Sequence, residues 1–365
     1  MDQGRILRRG WTTGACATAA AKAAYAALIH GAFPDPVTIR LPGGESPAFA
    51  LARADHVPGG ALAAVVKDAG DDPDVTHGAL ILVTVRLLPK GAGVLFKAGT
   101  GVGRVTRPGL PIPPGEPAIN PGPRAMIRTA LAEVAAEPDA EVEISIADGE
   151  KLAERTLNGR LGIFGGLSVL GTTGIVIPYS CAAWIDSIHR GVDVARAMGI
   201  PHVAGSTGSA SEAAVQRLHG LPDVALLEMG DFVGGMLKYL RRHPVPRVTV
   251  AGGVAKMTKL AQGRLDLHSR RGEADLAALG ALLPDAALVA RVAGANTVAE
   301  AFAIAEAAGQ PLGNAIATRA WAVAAAALAG DTPGELEICV FDREGRLVGR
   351  AGFMPHSPSL PRNRR

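Results

Sequence analysis

The chain has 365 residues, 48% of them hydrophobic and 19% charged, which suits two ordinary domains and excludes a disordered, solvating chain. Lys and Arg number 37 against 34 Asp and Glu, a formal net charge of +3, and aromatics make up only 4%. Neither the electrostatic footprint nor the stacking surface that nucleic-acid binding requires is supplied.

Near the N-terminus, Thr12-Thr13-Gly14 precedes an Ala-rich run whose propensity predicts a helix over Ala15–Leu28. Strand-like segments follow at Val37–Leu41, Ala61–Lys67, Leu80–Leu88 and Val94–Ala98, separated by Gly and Pro as in a meander. Pro123–Ala136 reads as a helix and Glu141–Ala147 as an alternating strand. The segment Leu161–Tyr179 is rich in Gly and Thr and reads as a domain junction.

From Ile185 the grammar changes. A helix over Ile185–Met198 leads to a strand at His202–Ala204, a small-residue loop at Gly205–Ser211 and a helix at Glu212–Leu218. A strand at Val224–Leu227, a helix at Phe232–Arg242 and a strand at Val248–Ala251 continue the alternation, which predicts a parallel sheet with crossover helices. Ala-rich helices then fill Asp275–Ala329, and Glu335–Phe341 with Leu347–Ala351 form a hairpin. The expected domains are 1–165, mixed α+β; 166–355, α/β; and a disordered tail over 356–365.

Cys16, Cys181 and Cys339 lie far apart and are odd in number, so a disulfide framework or a Cys-rich zinc site is excluded and a reducing compartment fits. No apolar run reaches the roughly 18 uninterrupted residues of a membrane span, and Lys22 interrupts the one run resembling a signal-peptide core. The cytoplasm is the expected compartment, with no membrane partner.

Five segments carry candidate chemistry. Thr12, Thr13 and Gly14 stand where a helix begins, a place that suits an anion or an ordinary cap. Lys67–His77 holds Asp68, Asp71, Asp72, Asp74 and His77 within eleven residues, which suits acid–base work or turn formation; its spacing is not that of an EF-hand loop. The Pro- and Gly-rich stretch Gly99–Arg124 carries Arg104, Arg107 and Arg124, suited to bidentate capture of carboxylates or phosphates. Gly205, Ser206, Thr207, Gly208 and Ser209 lie between a strand and a helix, where an α/β sheet binds its ligand, and Glu228 or Asp231 at the tip of the next strand could accept ribose hydroxyls. The loop lacks the Gly-Lys-Ser/Thr ending of a phosphate-binding P-loop, which favours a nucleoside-bearing cofactor over ATP held in that manner. Finally, Gly252–Arg270 places Lys256 and Lys259 on one helix face and ends near His268.

These segments, in this order, resemble the CbiD family, the cobalt-precorrin-5B C1-methyltransferases of the anaerobic corrin pathway. The matching strings are GWTTGACATAAAKAA at 10–24, KDAGDDPDVTHG at 67–78, GVGRVTRPGLPIPPGEPAINPGPRAMI at 101–127, NGRLGIFGGLSVLGTTGIVIPYS at 158–180, EMGDFVGGML at 228–237 and GGVAKMTKLAQGRLDLHS at 252–269. The chain departs from the family pattern at Trp11, Ala15, Pro121-Gly122-Pro123 and Gly253-Val254-Ala255, so no role is carried over to position 15 or 254.

The resemblance implies a two-domain CbiD-like architecture, α+β followed by a Rossmann-like α/β domain. It implies transfer of a methyl group from S-adenosylmethionine to C1 of cobalt-precorrin-5B in cobalamin biosynthesis. The cobalt would arrive with the small-molecule substrate, and no protein-bound metal is expected. Gly205–Ser209 with Glu228 or Asp231 would then hold the donor's adenosine. Thr12, Thr13, Gly14, Arg104, Arg107, Arg124, Thr172 and Thr173 would face the polycarboxylate macrocycle, and Asp68, Asp71, Asp72, His77 and His268 are the candidates for moving a proton. A homo-oligomer stays open. Two alternatives stand beside this reading: a nucleotide-dependent small-molecule kinase using Asp68–Asp74 for Mg²⁺, and a non-catalytic tetrapyrrole-binding protein.

Overall fold

A computed structural model describes residues 7–356. The chain forms two compact units, one running to Ser180 and one from Cys181.

The elements of the first unit are β1 (Gly10–Trp11), α1 (Thr13–His30), β2 (Val37–Thr38), β3 (Ala48–Phe49), β4 (Arg53–Val57), β5 (Gly60–Val66), β6 (Leu80–Leu87), β7 (Val94–Ala98), β8 (Arg104–Val105), α2 (Pro121–Ala132), β9 (Ala140–Ile146), α3 (Gly149–Ala153), β10 (Ile163–Phe164) and β11 (Ile175–Val176). Five of the strands make a sheet in the order β4-β5-β6-β9-β7. All its pairs are antiparallel except β7 with β9. Alternation decides its faces. Ala61, Ala63 and Val65, Ile81, Val83 and Val85, and Val142, Ile144 and Ile146 turn inward and are buried. The opposite face carries a charged ladder in which Arg86 bridges Glu141 and Glu143 at 3.2 and 3.0 Å. One buried face and one solvated face are what an antiparallel sheet permits.

Helix α1 covers the apolar face and is buried along almost its whole length, from Thr13 to Ala27. An alanine-rich surface lets it sit between the sheet and α2, and a helix with so little polar surface is a buried helix. It stops at Gly31, whose φ of +80° turns its N–H back to the Ala27 carbonyl.

The second unit comprises α4 (Cys181–Ala197), β12 (His202–Ser206), α5 (Ser209–His219), β13 (Leu226–Glu228), α6 (Val233–Arg242), β14 (Arg247–Gly253), α7 (Val254–Ala261), α8 (Leu276–Gly280), α9 (Ala286–Ala293), α10 (Val298–Ala307), α11 (Leu312–Leu328), β15 (Gly334–Phe341) and β16 (Leu347–His356). Its sheet runs β13-β12-β14-β15-β16, with the first four strands parallel and β16 antiparallel. Counted within the unit this is the order 2-1-3-4-5, a doubly wound sheet. The predicted Rossmann-like class therefore holds, in its flavodoxin-like strand order. Ala204, Leu226, Ala251 and Cys339 pack beneath α5 on one face, while Val203, Leu227, Val248 and Ile338 join the helices of the other.

The unit boundary falls at Ser180/Cys181, not at 165/166. Strand β10 pairs with β8 and β11 with β1, and bridges tie Leu167 to Val102 and Val169 to Ile119. Those pairings fasten the Gly/Thr-rich segment into the first unit. At the other end, His356 closes β16 and is buried, so the expected tail does not begin there; 357–365 lie outside the described residues.

Candidate functional site

In the second unit, β12 and β14 are neighbours whose following crossovers leave toward opposite faces, and the C-terminal ends at such a switch point are where open α/β sheets bind ligands. Ser206, Thr207, Glu228, Gly252 and Gly253 stand along that edge. Helices α5 and α7 both begin there, after Gly208 and Gly253, and neither N-cap residue makes a side-chain cap bond. The Thr207 N–H donates to the Ala251 carbonyl at 3.0 Å, drawing the two strand ends together. A methyl at Gly252 would lie 2.8 Å from Thr207 Oγ1 and 2.7 Å from Met257 Sδ, so this approach requires glycine.

Two polar groups at this edge have no side-chain partner among the described residues. The Ser206 hydroxyl is buried at 1% exposure without a hydrogen bond. The Glu228 carboxylate is exposed at the tip of β13. Asp231, the other ribose candidate, is engaged: Oδ1 lies 2.7 Å from Lys256 Nζ, an ion pair without hydrogen-bond geometry. Lys256 Nζ also reaches the Thr207 carbonyl at 3.4 Å and so spans strand ends.

Gly205 does not belong to this edge. A methyl there would come within 2.3 Å of Met236 Sδ, so its missing side chain makes room for the core and not for a ligand. The loop is also shorter than the sequence suggests, because Ser209–Ser211 already form the first turn of α5. Ser206, Thr207, Gly208, Ser209 and Glu228 are the residues the fold brings together.

In the first unit, the aspartates after β5 build the loop they sit in. Asp68 accepts both Arg8 guanidinium nitrogens and the Gly70 N–H. The Arg8 hydrogen bond, aided by that N–H, pulls its carboxyl down to about 2. Asp71 accepts the Arg8 N–H at 2.8 Å and Asp72 the Tyr179 N–H at 2.8 Å. Buried Lys67 binds Asp74 and Thr76; burial pushes the Asp74 carboxyl up, but the Lys67 charge and hydrogen bonds from Lys67 and Thr76 hold it below the usual range. Asp68, held well below the usual carboxylate range, is a poor proton acceptor near neutral pH, and Asp71 and Asp72 are engaged in bracing the loop through the backbone N–H groups of Arg8 and Tyr179. They do not form a three-carboxylate cation cage either: among the described residues the one group of three potential ligand atoms lying close together is His219, Glu337 and Cys339.

His77 is different. The Ala69 N–H donates to Nδ1 at 3.1 Å, which places the neutral ring's proton on Nε2 at a half-exposed edge. His268 is exposed and belongs to the second unit, its backbone N–H bonded to Asp266. Cys16 is no nucleophile, since burial pushes its thiol up to about 12.

The start of α1 is closed to an outside anion. Thr12 Oγ1 accepts the Ala15 N–H at 3.1 Å, the Gly14 N–H donates to the Leu170 carbonyl at 3.1 Å, and Thr12 and Thr13 are buried. The cap reading of Thr12, Thr13 and Gly14 is the correct one. Arg107 Nη1 donates to the Arg160 carbonyl at 2.8 Å. Arg124 donates to the Ile119 and Pro117 carbonyls and to Glu116, with its guanidinium 5.4 Å from the Phe96 ring centre. Both brace the loop, which removes them as a carboxylate clamp. Arg104 keeps an exposed guanidinium that contributes only Nη1, at 3.2 Å, to the Gly115 carbonyl. Thr172 and Thr173 are exposed, and Thr173 Oγ1 receives the Ile175 N–H at 3.2 Å. Sequence reasoning missed Trp184, which stands beside Glu228, and Arg128, which lies 4.9 Å over Phe96.

Comparison with known proteins gives the family. The model of the CbiD family matches residues 1–178 and that of the CbiD C-terminal domain matches 266–352. A protein of Agrobacterium fabrum named cobalt-precorrin-5B C(1)-methyltransferase is 61% identical over 373 residues, covering 99% of each chain. One of the same name from Halorhodospira halophila is 63% identical over 358 residues, covering 96% of each. A crystal structure of the cobalamin biosynthesis protein cbiD from Archaeoglobus fulgidus is 27% identical, covers 68% of this chain and 77% of its own, and has a TM-score of 0.39. Identity of this order along nearly the whole length leaves one assignment: the chain belongs to the CbiD family.

Proposed function

We propose that the protein is an S-adenosylmethionine-dependent C-methyltransferase that methylates C1 of cobalt-precorrin-5B during anaerobic cobalamin biosynthesis. The observation that carries this reading is the near-full-length identity of about 60% with proteins bearing that name. The residues of the second unit fit a nucleoside-bearing donor: a buried hydroxyl without a partner at Ser206 and an open carboxylate at Glu228. The bound donor supplies an electrophilic methyl group on a sulfonium. A macrocycle carbon takes that methyl with its own electron pair, and the sulfonium becomes a thioether. The chain's task is to hold and orient, and no covalent nucleophile is needed.

Two residues of the first unit are candidates for handling the cobalt-bearing macrocycle, which brings its metal as part of the substrate. Arg104 has guanidinium donors to give to a carboxylate, and His77 has an Nε2 edge for a proton. The test is incubation with cobalt-precorrin-5B and methyl-labelled S-adenosylmethionine, read by mass spectrometry. A labelled methyl in the macrocycle supports the reading. Tight macrocycle binding without label would mark a carrier, and turnover of ATP–Mg²⁺ in place of the donor would mark a kinase.

A further inference from the structure

Trp184 lies in the first turn of α4 and is 44% exposed. It is nevertheless held. Its Nε1–H donates to the Glu228 carbonyl at 3.1 Å, and Phe232 packs at a ring-centre distance of 6.5 Å. Gly230, at φ +54°, carries the chain beneath the ring: a methyl there would stand 3.4–3.6 Å from its Cζ2, Cε2 and Nε1 atoms. One edge and one flank of the indole are therefore fixed by the turn after β13, while part of the residue stays exposed. The residue whose carbonyl fixes it is also the residue with the open carboxylate. Ser206, with its unpartnered hydroxyl, is the register partner of Glu228 across the parallel pair, so the two side chains share a face of the sheet.

We propose that Trp184, Glu228 and Ser206 form a nucleoside subsite. The indole takes the face of the purine, the Glu228 carboxylate accepts the vicinal hydroxyls of the ribose, and the Ser206 hydroxyl adds a hydrogen bond beside it. The chemistry of each part matches. An aromatic plane stacks on any base, while an acceptor-only carboxylate beside a hydroxyl selects a diol. This subsite rests on the reading that the methyl donor is S-adenosylmethionine, and it assigns Trp184 the recognition of the donor's base.

The test is calorimetric titration of the full-length protein with S-adenosylhomocysteine. Trp184→Ala weakens binding by about tenfold or more, and Trp184→Phe, which keeps a ring, by only about threefold. Tryptophan fluorescence is quenched on titration of the unmodified protein, and Trp184→Phe loses that quenching. The 2′-deoxy analogue binds less tightly than S-adenosylhomocysteine to the unmodified protein, and Glu228→Gln removes the difference. Equal affinity in the unmodified protein and Trp184→Ala, with matching melting temperatures, overturns the subsite and leaves the donor reading standing. Absence of any S-adenosylhomocysteine binding by the unmodified protein overturns both.

Discussion

Ser206 and Glu228 are register partners at the C-terminal ends of adjacent parallel strands, one a buried hydroxyl without a partner and the other an exposed carboxylate. An unsatisfied buried hydroxyl costs free energy in the ligand-free protein. Ser206→Ala is accordingly expected to leave the melting temperature unchanged or raise it, while weakening S-adenosylhomocysteine binding. A hydrogen bond to a charged group is worth more, so Glu228→Ala is expected to weaken that binding roughly ten- to a hundredfold. Titration and thermal melts of both variants check the pair.

Asp231 separates structural from binding carboxylates. Its partner is Lys256, and the pair joins the turn after β13 to the first turn of α7. Asp231→Asn is expected to lower stability modestly and to leave the preference for ribose over 2′-deoxyribose intact. Comparing the two analogues on this variant and on Glu228→Gln measures the difference.

How much of this was legible in the sequence depends on how far away the deciding partner lies. The β-loop-α alternation after Ile185 is local, and it foretold the parallel sheet. Gly205 read as a ligand-facing glycine because Met236, which fills the space, arrives from another crossover. At Thr12, Thr13 and Gly14 an anion site and an ordinary cap look alike in the sequence because the closing carbonyl belongs to Leu170. Arg107 and Arg124 read as a clamp because their acceptors are carbonyls, which leave no mark in a sequence. Trp184 went unnoticed because an aromatic on an amphipathic helix carries no signal of its own until the turn at Gly230 comes beneath it.

The crowding at Gly205 gives a stability prediction. Gly205→Ala forces a methyl against Met236 and is expected to cost about 1–3 kcal/mol of folding stability. Pairing it with Met236→Ala makes room and is expected to recover part of the loss. Urea unfolding of the single and double variants reads the coupling.

A buried polar network in the second unit sets a pH dependence. His202 Nε2 meets Thr249 Oγ1 at 2.8 Å, and Thr249, His219 and Arg350 all bind the Glu337 carboxylate. Burial, and then the neighbouring His219, bring the His202 imidazole down to about 4. The unfolded chain takes up this proton first, near 6.5, so it binds more protons than the native state between about 6.5 and 4. Stability is therefore expected to fall as pH drops through that window. Thermal melts from pH 7.5 to 4 should show a shallower fall in His202→Asn.

The loop before His77 yields two predictions about turnover. Asp68 stays ionised under Arg8 at any working pH, so Asp68→Asn is expected to alter turnover without moving its pH profile. His77→Gln is expected to lower kcat at every pH, read with the macrocycle saturating.

The central claim is that the methyl donor sits at the C-terminal edge of the second unit's sheet. A crystal structure with S-adenosylhomocysteine bound tests it most directly. The account predicts the purine against the Trp184 indole, with the ribose hydroxyls on Glu228 and Ser206. A nucleoside seated anywhere else, with those three side chains untouched, would contradict it.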